Sequence, residues 1–159
     1  MVDIKKILYP TDLSKHSAVA LPYAVDLAKH YNAQLHCINI LDSGHEFFLE
    51  GGYIAPLALK ASFSIEQMQK TAQEHLESFL KENIPSMNNN VMQKVILGKP
   101  FVEIIHYARQ EHIDLIVLGT HGHSALASML LGSVAEKVVR KSPCPVFTVR
   151  HPEHKFEAP

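Results

Sequence analysis

The sequence predicts an α/β fold built on a five-stranded parallel sheet with helices on both faces. Three observations carry that reading. Short β-rich runs alternate with stretches of helical periodicity, the pattern of βαβ units. Several strand candidates are continuous apolar runs, such as Leu115-Ile116-Val117-Leu118, as expected where both faces of a sheet are covered. Each of the four connections is long enough to hold a helix and return the chain parallel.

The strands are predicted at Lys5–Tyr9, Gln34–Ile40, Val91–Leu97, Asp114–Leu118 and Val146–Arg150. The first helix spans about Ser17 to Tyr31, with Leu21, Val25 and Ala28 on one stripe. Pro22 either lies near its first turn or kinks it. The second runs from Ile65 to about Glu82: Ser64 and Gln67 form a capping box, and Ile65, Met68, Ala72, Leu76 and Phe79 recur at helical spacing. The third starts at Pro100, a favourable first helical position, and turns Phe101, Ile104, Ile105 and Ala108 inward. The last covers Ser133 to Lys141 and stops before Pro143-Cys144-Pro145. Between them, Asp42–Ala61 is long for a connector and predicts a mobile cover or a partly helical insertion. Residues 1–150 read as one domain and residues 151–159 as a frayed tail.

Composition narrows the function class. Apolar residues make up 47% and charged residues 19% of the 159, which excludes a disordered chain. Net charge is −1 with no basic run beyond Lys5-Lys6, so nothing points to nucleic acid or an anionic membrane. Apolar stretches reach about five residues, against the roughly 20 of a membrane span. Met1–Lys6 leads directly into strand-like sequence without an apolar leader core, which predicts a cytoplasmic protein. Cys37 and Cys144 make no disulfide framework, and Cys37 reads as a small buried hydrophobe.

The chemistry concentrates in Gly119-Thr120-His121-Gly122-His123-Ser124 and the later Gly132-Ser133. Three of the seven glycines fall there. One reading is anion binding. Gly119 ends a buried strand, Gly122 lets backbone amides turn inward, and Gly132-Ser133 opens a helix whose N–H groups and dipole favour phosphate. The other is an ordinary turn, a loop bend and a Ser133 cap; spacing alone leaves both open. Tyr9-Pro10-Thr11-Asp12 is the second marked segment. Asp12 could accept from ribose hydroxyls, or Asp12 or Ser14 could simply cap the next helix.

Taken together, G-x2-G-x9-G-S at Gly119, Gly122, Gly132 and Ser133 resembles the nucleotide-binding signature of the universal stress protein family. Lys6–Asp12, Gly98-Lys99-Pro100, Leu130–Glu136 and Pro143–Val146 resemble it too, so that the likeness spans residues 3 to 150. The resemblance implies an open, twisted, Rossmann-like sheet of order 3-2-1-4-5 and an adenine nucleotide as ligand. ATP is the preferred one, with ADP or AMP as alternatives and Mg²⁺ held through the phosphates. It further implies that Asp12 holds the ribose, while Pro10, Thr11 and Ile40 line the adenine pocket. Leu118 and Gly119 would lie under the nucleoside, and Gly122, His123 and Ser124 would wrap the phosphates. Gly132, Ser133 and Val134 would close the site from the helix N-terminus. His123 stands where the family often has lysine or arginine. A homodimer through the edge strand Val146–Arg150 is implied as well; its rival is a monomer shielded by Lys141, Arg150 and the prolines.

The 11 histidines supply no converging set of three or four at zinc-binding spacing. His121 would be the proton carrier of the loop if there were one, and otherwise packs within it. Only Arg109 supplies a cation between Lys99 and Glu136, which speaks against fast phosphoryl transfer. The turn Pro10–Ser14 lacks the S-G-G-x-D-S loop of adenylating enzymes. The alternatives to a nucleotide-binding stress-response protein are therefore an interaction module with an empty site and, behind it, an adenylating enzyme.

Overall fold

The computed structural model describes residues 2–42, 65–84, 90–121 and 131–152, and the backbone of 48–49 and 52–53. Its elements in chain order are β1 (Lys6–Thr11), α1 (Lys15–Ala18), α2 (Leu21–Tyr31), β2 (Gln34–Asp42), β3 (Phe48–Leu49), β4 (Gly52–Tyr53), α3 (Ile65–Asn83), β5 (Val91–Gly98), α4 (Pro100–Gln110), β6 (Leu115–Gly119), α5 (Ser133–Lys141) and β7 (Val146–Val149). The main sheet has the order β5-β2-β1-β6-β7 with every pair parallel. Counted along its five strands, that is the predicted order 3-2-1-4-5.

Side chains alternate across the sheet and divide the core in two. On one face Ile7, Tyr9, Leu35, Cys37 and Val117 pack beneath α2 and α3, through Leu21, Val25, Leu76 and Leu80. On the other, Leu8, Ile38, Ile116 and Leu118 pack beneath α4 and α5, through Ile104, Tyr107, Ala135 and Val138. Each fully buried aliphatic side chain contributes about 1.5–3 kcal/mol. Among the described residues, no helix is long and apolar enough to cross a membrane.

Several local expectations are corrected. The first helix is two: α1 ends at Ala18, and Pro22 takes the second position of α2, where its missing N–H costs nothing. The first four strands of the main sheet run one or two residues further than predicted, so Pro10 and Thr11 belong to β1, whereas β7 stops at Val149, one residue short of Arg150. Ile65 is 58% exposed at the start of α3, and Leu80 joins Ala72 and Leu76 inside. Phe101 packs inward against the core as predicted, but only half-buried. Within Asp42–Ala61 the described residues beyond β2 form an antiparallel pair, Phe48–Leu49 with Gly52–Tyr53, and the rest of that segment lies outside the described residues. Ser64 and the tail beyond Pro152 lie outside the described residues.

Cys37 is wholly buried, and burial pushes its thiol up to about 12, so it is inert as a nucleophile. His36, 2% exposed, lies within hydrogen-bonding distance of the Tyr107 hydroxyl (2.8 Å) and Gln34 Oε1 (3.0 Å). A neutral ring satisfies both nitrogens, with Nε2–H donating to Gln34. Burial lowers its pKa, Lys6 lowers it further and Glu111 partly opposes this. A histidine held neutral adds stability above its unfolded pKa of about 6.5. That stability is lost as pH falls below this value, because the unfolded chain takes the proton first. The urea midpoint is expected to drop between pH 7.5 and 5.5, and His36→Gln to drop less over the same interval. Equal slopes for the two proteins would remove His36 as the cause.

Candidate functional site

The chain runs β1, β2, β5 toward one sheet edge and then crosses to place β6 on the other side of β1. That reversal creates a switch point between β1 and β6, and ligands of open α/β sheets sit there, beyond the strand carboxyl ends. The β1–β6 ladder holds only the pairs Ile7↔Leu115 and Leu8↔Ile116. β1 and β2 stay paired as far as Thr11↔Asn39. Pro10 lies past the last β6 pair, which is how a proline is accommodated in a central strand.

The turn after β1 is closed by its own side chains. Asp12 Oδ1 accepts from the Ser14 amide (3.0 Å) and the Ser14 hydroxyl (2.6 Å). Ser14 caps α1 by accepting from the Ser17 amide at 3.1 Å. The hydroxyls of Thr11 and Ser17 lie 2.9 Å apart, and Thr11 Oγ1 also accepts from the Leu13 amide. Leu13 is left-handed at φ 63°, a conformation costing a bulky residue about 1–2 kcal/mol. The hydrogen bonds on either side of Leu13 offset that cost. Buried Asn39 on β2 donates to the Thr11 carbonyl at 2.9 Å and ties the end of β2 to the same turn.

The end of β6 meets this turn directly. A Cβ on Gly119 would lie 2.6 Å from the His16 carbonyl oxygen and 3.1 Å from Ser17 Cα, so glycine is required by close approach of α1. Beyond it, Thr120 donates its amide to the Val149 carbonyl (2.8 Å) and accepts from the Gly132 amide at 2.7 Å. The start of α5 is thereby fastened to the strand-end loop. Gly132, not Ser133, is the N-cap of α5, and among the described residues no side chain caps it; Ser133 is the first helical residue and exposed. Helix-opening amides without a cap, beside the positive end of the dipole, can receive an anion. His121 is buried with its ring 3.0 Å from the Thr120 hydroxyl, in keeping with packing within the loop.

The predicted site residues thus divide in three. Pro10, Thr11 and Asp12 close β1, Leu118 and Gly119 close β6, and Gly132, Ser133 and Val134 open α5 against the same loop. Ile40, Leu118 and Val134 join one apolar cluster on the α4/α5 face. Gly122, His123 and Ser124 lie outside the described residues. Sequence reasoning missed Asn39 and the Thr11–Ser17 pair. The available signal for Asn39 was a lone carboxamide inside the apolar run Leu35–Leu41. Among the described residues, no three His, Cys, Asp or Glu side chains group as metal ligands.

Comparison with known proteins places the fold in a family. A model of the Universal stress protein family matches residues 3–150. The chain belongs to this family. A curated relative, universal stress protein MJ0531 of Methanocaldococcus jannaschii, is 32% identical over 154 residues, covering 94% of this chain and 84% of the relative. Among solved structures, universal stress protein UspA from Lactobacillus plantarum has the same fold. Its TM-score is 0.76 at 24% identity, over 94% of this chain and 100% of that one. A further universal stress protein, solved in complex with cAMP, aligns with a TM-score of 0.66 at 22% identity, over 93% of this chain and 98% of that one.

Proposed function

We propose that this universal stress protein binds an adenine nucleotide at the β1–β6 switch point, with ATP preferred. Its role is then stress response or signalling in the cytoplasm, with at most slow hydrolysis. Residues 1–150 act as one nucleotide-binding unit. The observation that carries the reading is the fastening of the N-terminus of α5 to the loop after Gly119, beside the Asp12 turn. In this reading the first-turn amides of α5 take the phosphates, with Mg²⁺ retained by phosphate oxygens and water. Asp12 accepts from the ribose, and Pro10, Thr11, Ile40, Leu118 and Val134 surround the base. Gly122, His123 and Ser124 complete the phosphate wrap. The cAMP bound by a structural neighbour supports the adenosine part of the assignment. β7 stands at a sheet edge with Phe147 exposed, and pairing of two such edges supplies the proposed homodimer.

Calorimetry with Mg-ATP tests the site. Wild type is expected to bind at sub-millimolar concentration. Asp12→Asn preserves an acceptor for Ser14 but removes the charge, and should lose roughly 10- to 100-fold in affinity, since a hydrogen bond to a charged group contributes about 1.5–3 kcal/mol. Its thermal midpoint should stay near that of wild type. Absence of binding up to millimolar ligand, or full affinity in Asp12→Asn, counts against the assignment.

A further inference from the structure

The outer face of α4 and α5 carries a feature that the nucleotide reading leaves unused. A groove of about 370 Å³ runs between the two helices, with Phe101, Val102 and Ile105 as its apolar floor. Arg109 and Lys141 line it. The ammonium groups of Lys137 and Lys141 stand 4.9 and 5.6 Å from the Phe101 ring centroid. All three cations are exposed. Among the described residues none is ion-paired: the only bridges are Lys5–Asp3, Lys6–Glu111 and Arg140–Glu136. The acid nearest along α4, Glu103, packs over Gly98 instead.

Arg109 and Lys141 each lie in the last turn of a helix, where a cation stabilises the dipole by a few tenths of a kilocalorie. That accounts for one charge per helix. It does not account for Lys137 in mid-helix, which stands over the Phe101 ring without a carboxylate partner, nor for the 41% exposure of Val102 beside them. In a chain of net charge −1, three cations without a carboxylate partner among the described residues, two of them over the Phe101 ring, form a local positive field around one apolar strip. We propose that this groove docks an acidic amphipathic peptide segment of a partner protein. Its apolar side chains would lie on Phe101, Val102 and Ile105, and its carboxylates would reach Arg109, Lys137 and Lys141. A helix laid in an apolar groove with a complementary charged rim is a recurring recognition mode, and the charge decides which segments enter. None of these residues belongs to the proposed nucleotide site, so the two readings stand or fall separately.

The test uses two fluorescent 16-residue peptides with leucine at helical i, i+3, i+4, i+7 spacing, one with glutamate and one with lysine elsewhere. The glutamate peptide is expected to bind the wild-type chain in fluorescence anisotropy, to weaken as salt rises from 50 to 500 mM, and to lose roughly tenfold or more in the Arg109→Glu/Lys141→Glu double variant. The lysine peptide should not bind wild type and should bind the double variant better. Circular dichroism confirms that the variant is folded; exposed substitutions of this kind are close to neutral for stability. Failure of the glutamate peptide to bind, equal binding of both peptides, or indifference to the double substitution overturns the proposal. So does a self-associated wild type that the double substitution converts to a smaller species in sedimentation, which would make the occupant a second copy.

Discussion

Gly119→Ala is expected to destabilise the chain by about 2–3 kcal/mol and to abolish measurable nucleotide affinity along with it. The added methyl would lie 2.6 Å from the His16 carbonyl oxygen and 3.1 Å from Ser17 Cα. Both are backbone atoms, so no rotamer change relieves the overlap and α1 itself must move. α1 is held by Ser14, whose hydroxyl bonds Asp12 and the Ser17 amide. Tyr9 adds a hydrogen bond to the Ser17 carbonyl at 3.2 Å. Pushing α1 away therefore strains the whole Asp12 turn, and the sugar-binding carboxylate goes with it. Gly132→Ala should be milder, since its nearest contact, the Thr120 carbonyl oxygen, is 3.0 Å away and a few tenths of an ångström suffice. Urea midpoints of the two variants, followed by Mg-ATP calorimetry, check the order. A Gly119→Ala protein as stable as wild type would show that α1 yields freely, and the contact would then carry no argument about the site.

What the sequence discloses and what it conceals can be traced to particular residues. The strand centres were legible because both-face burial demands unbroken apolar runs such as Leu115–Leu118, and no other element of this length needs them. The strand ends were not: the predicted first strand finishes at Tyr9, yet β1 continues through Pro10, which is tolerated because β6 has already ended its pairing at Leu8↔Ile116. Helical periodicity identifies a face but not how deeply each residue on it is buried: Ile65 reads as core and is exposed, while Phe101 packs against the core only partly buried. The hydrogen bond from Asn39 to Thr11 spans 28 residues and has no local sequence pattern. The glycine spacing was legible as a motif, yet its reason at Gly119 is contact with α1 and not an unusual dihedral. That distinction exists only in three dimensions.

The largest loss of stability from a single truncation is expected within the sheet, where Ile116→Ala should cost about 2–5 kcal/mol. Ile116 is wholly buried on β6, between Leu8 of β1 and Val146 of β7 in register. It is also packed among the side chains that seat α4 and α5. Surrounded on both sides by strands and above by helices, the cavity left by three carbons cannot collapse, so the cavity penalty adds to the lost transfer energy. Against a net stability of about 5–15 kcal/mol for a domain of this size, the change takes a large share. Met92→Ala on the edge strand β5, at 49% exposure, should change stability by only about 0.5 kcal/mol. Chemical denaturation of both variants measures the contrast. Ile116 shares its apolar cluster with Ile40, Leu118 and Val134, but it supplies none of the proposed ribose or phosphate contacts. Ile116→Ala, assayed where it is still folded, is therefore expected to bind Mg-ATP within about twofold of wild type, because the hydrogen bonds that fasten α5 to the Thr120 loop do not pass through it. A parallel collapse of affinity in the folded variant would mean that the site depends on the packing beneath the sheet and not on the turn, loop and helix end that frame it.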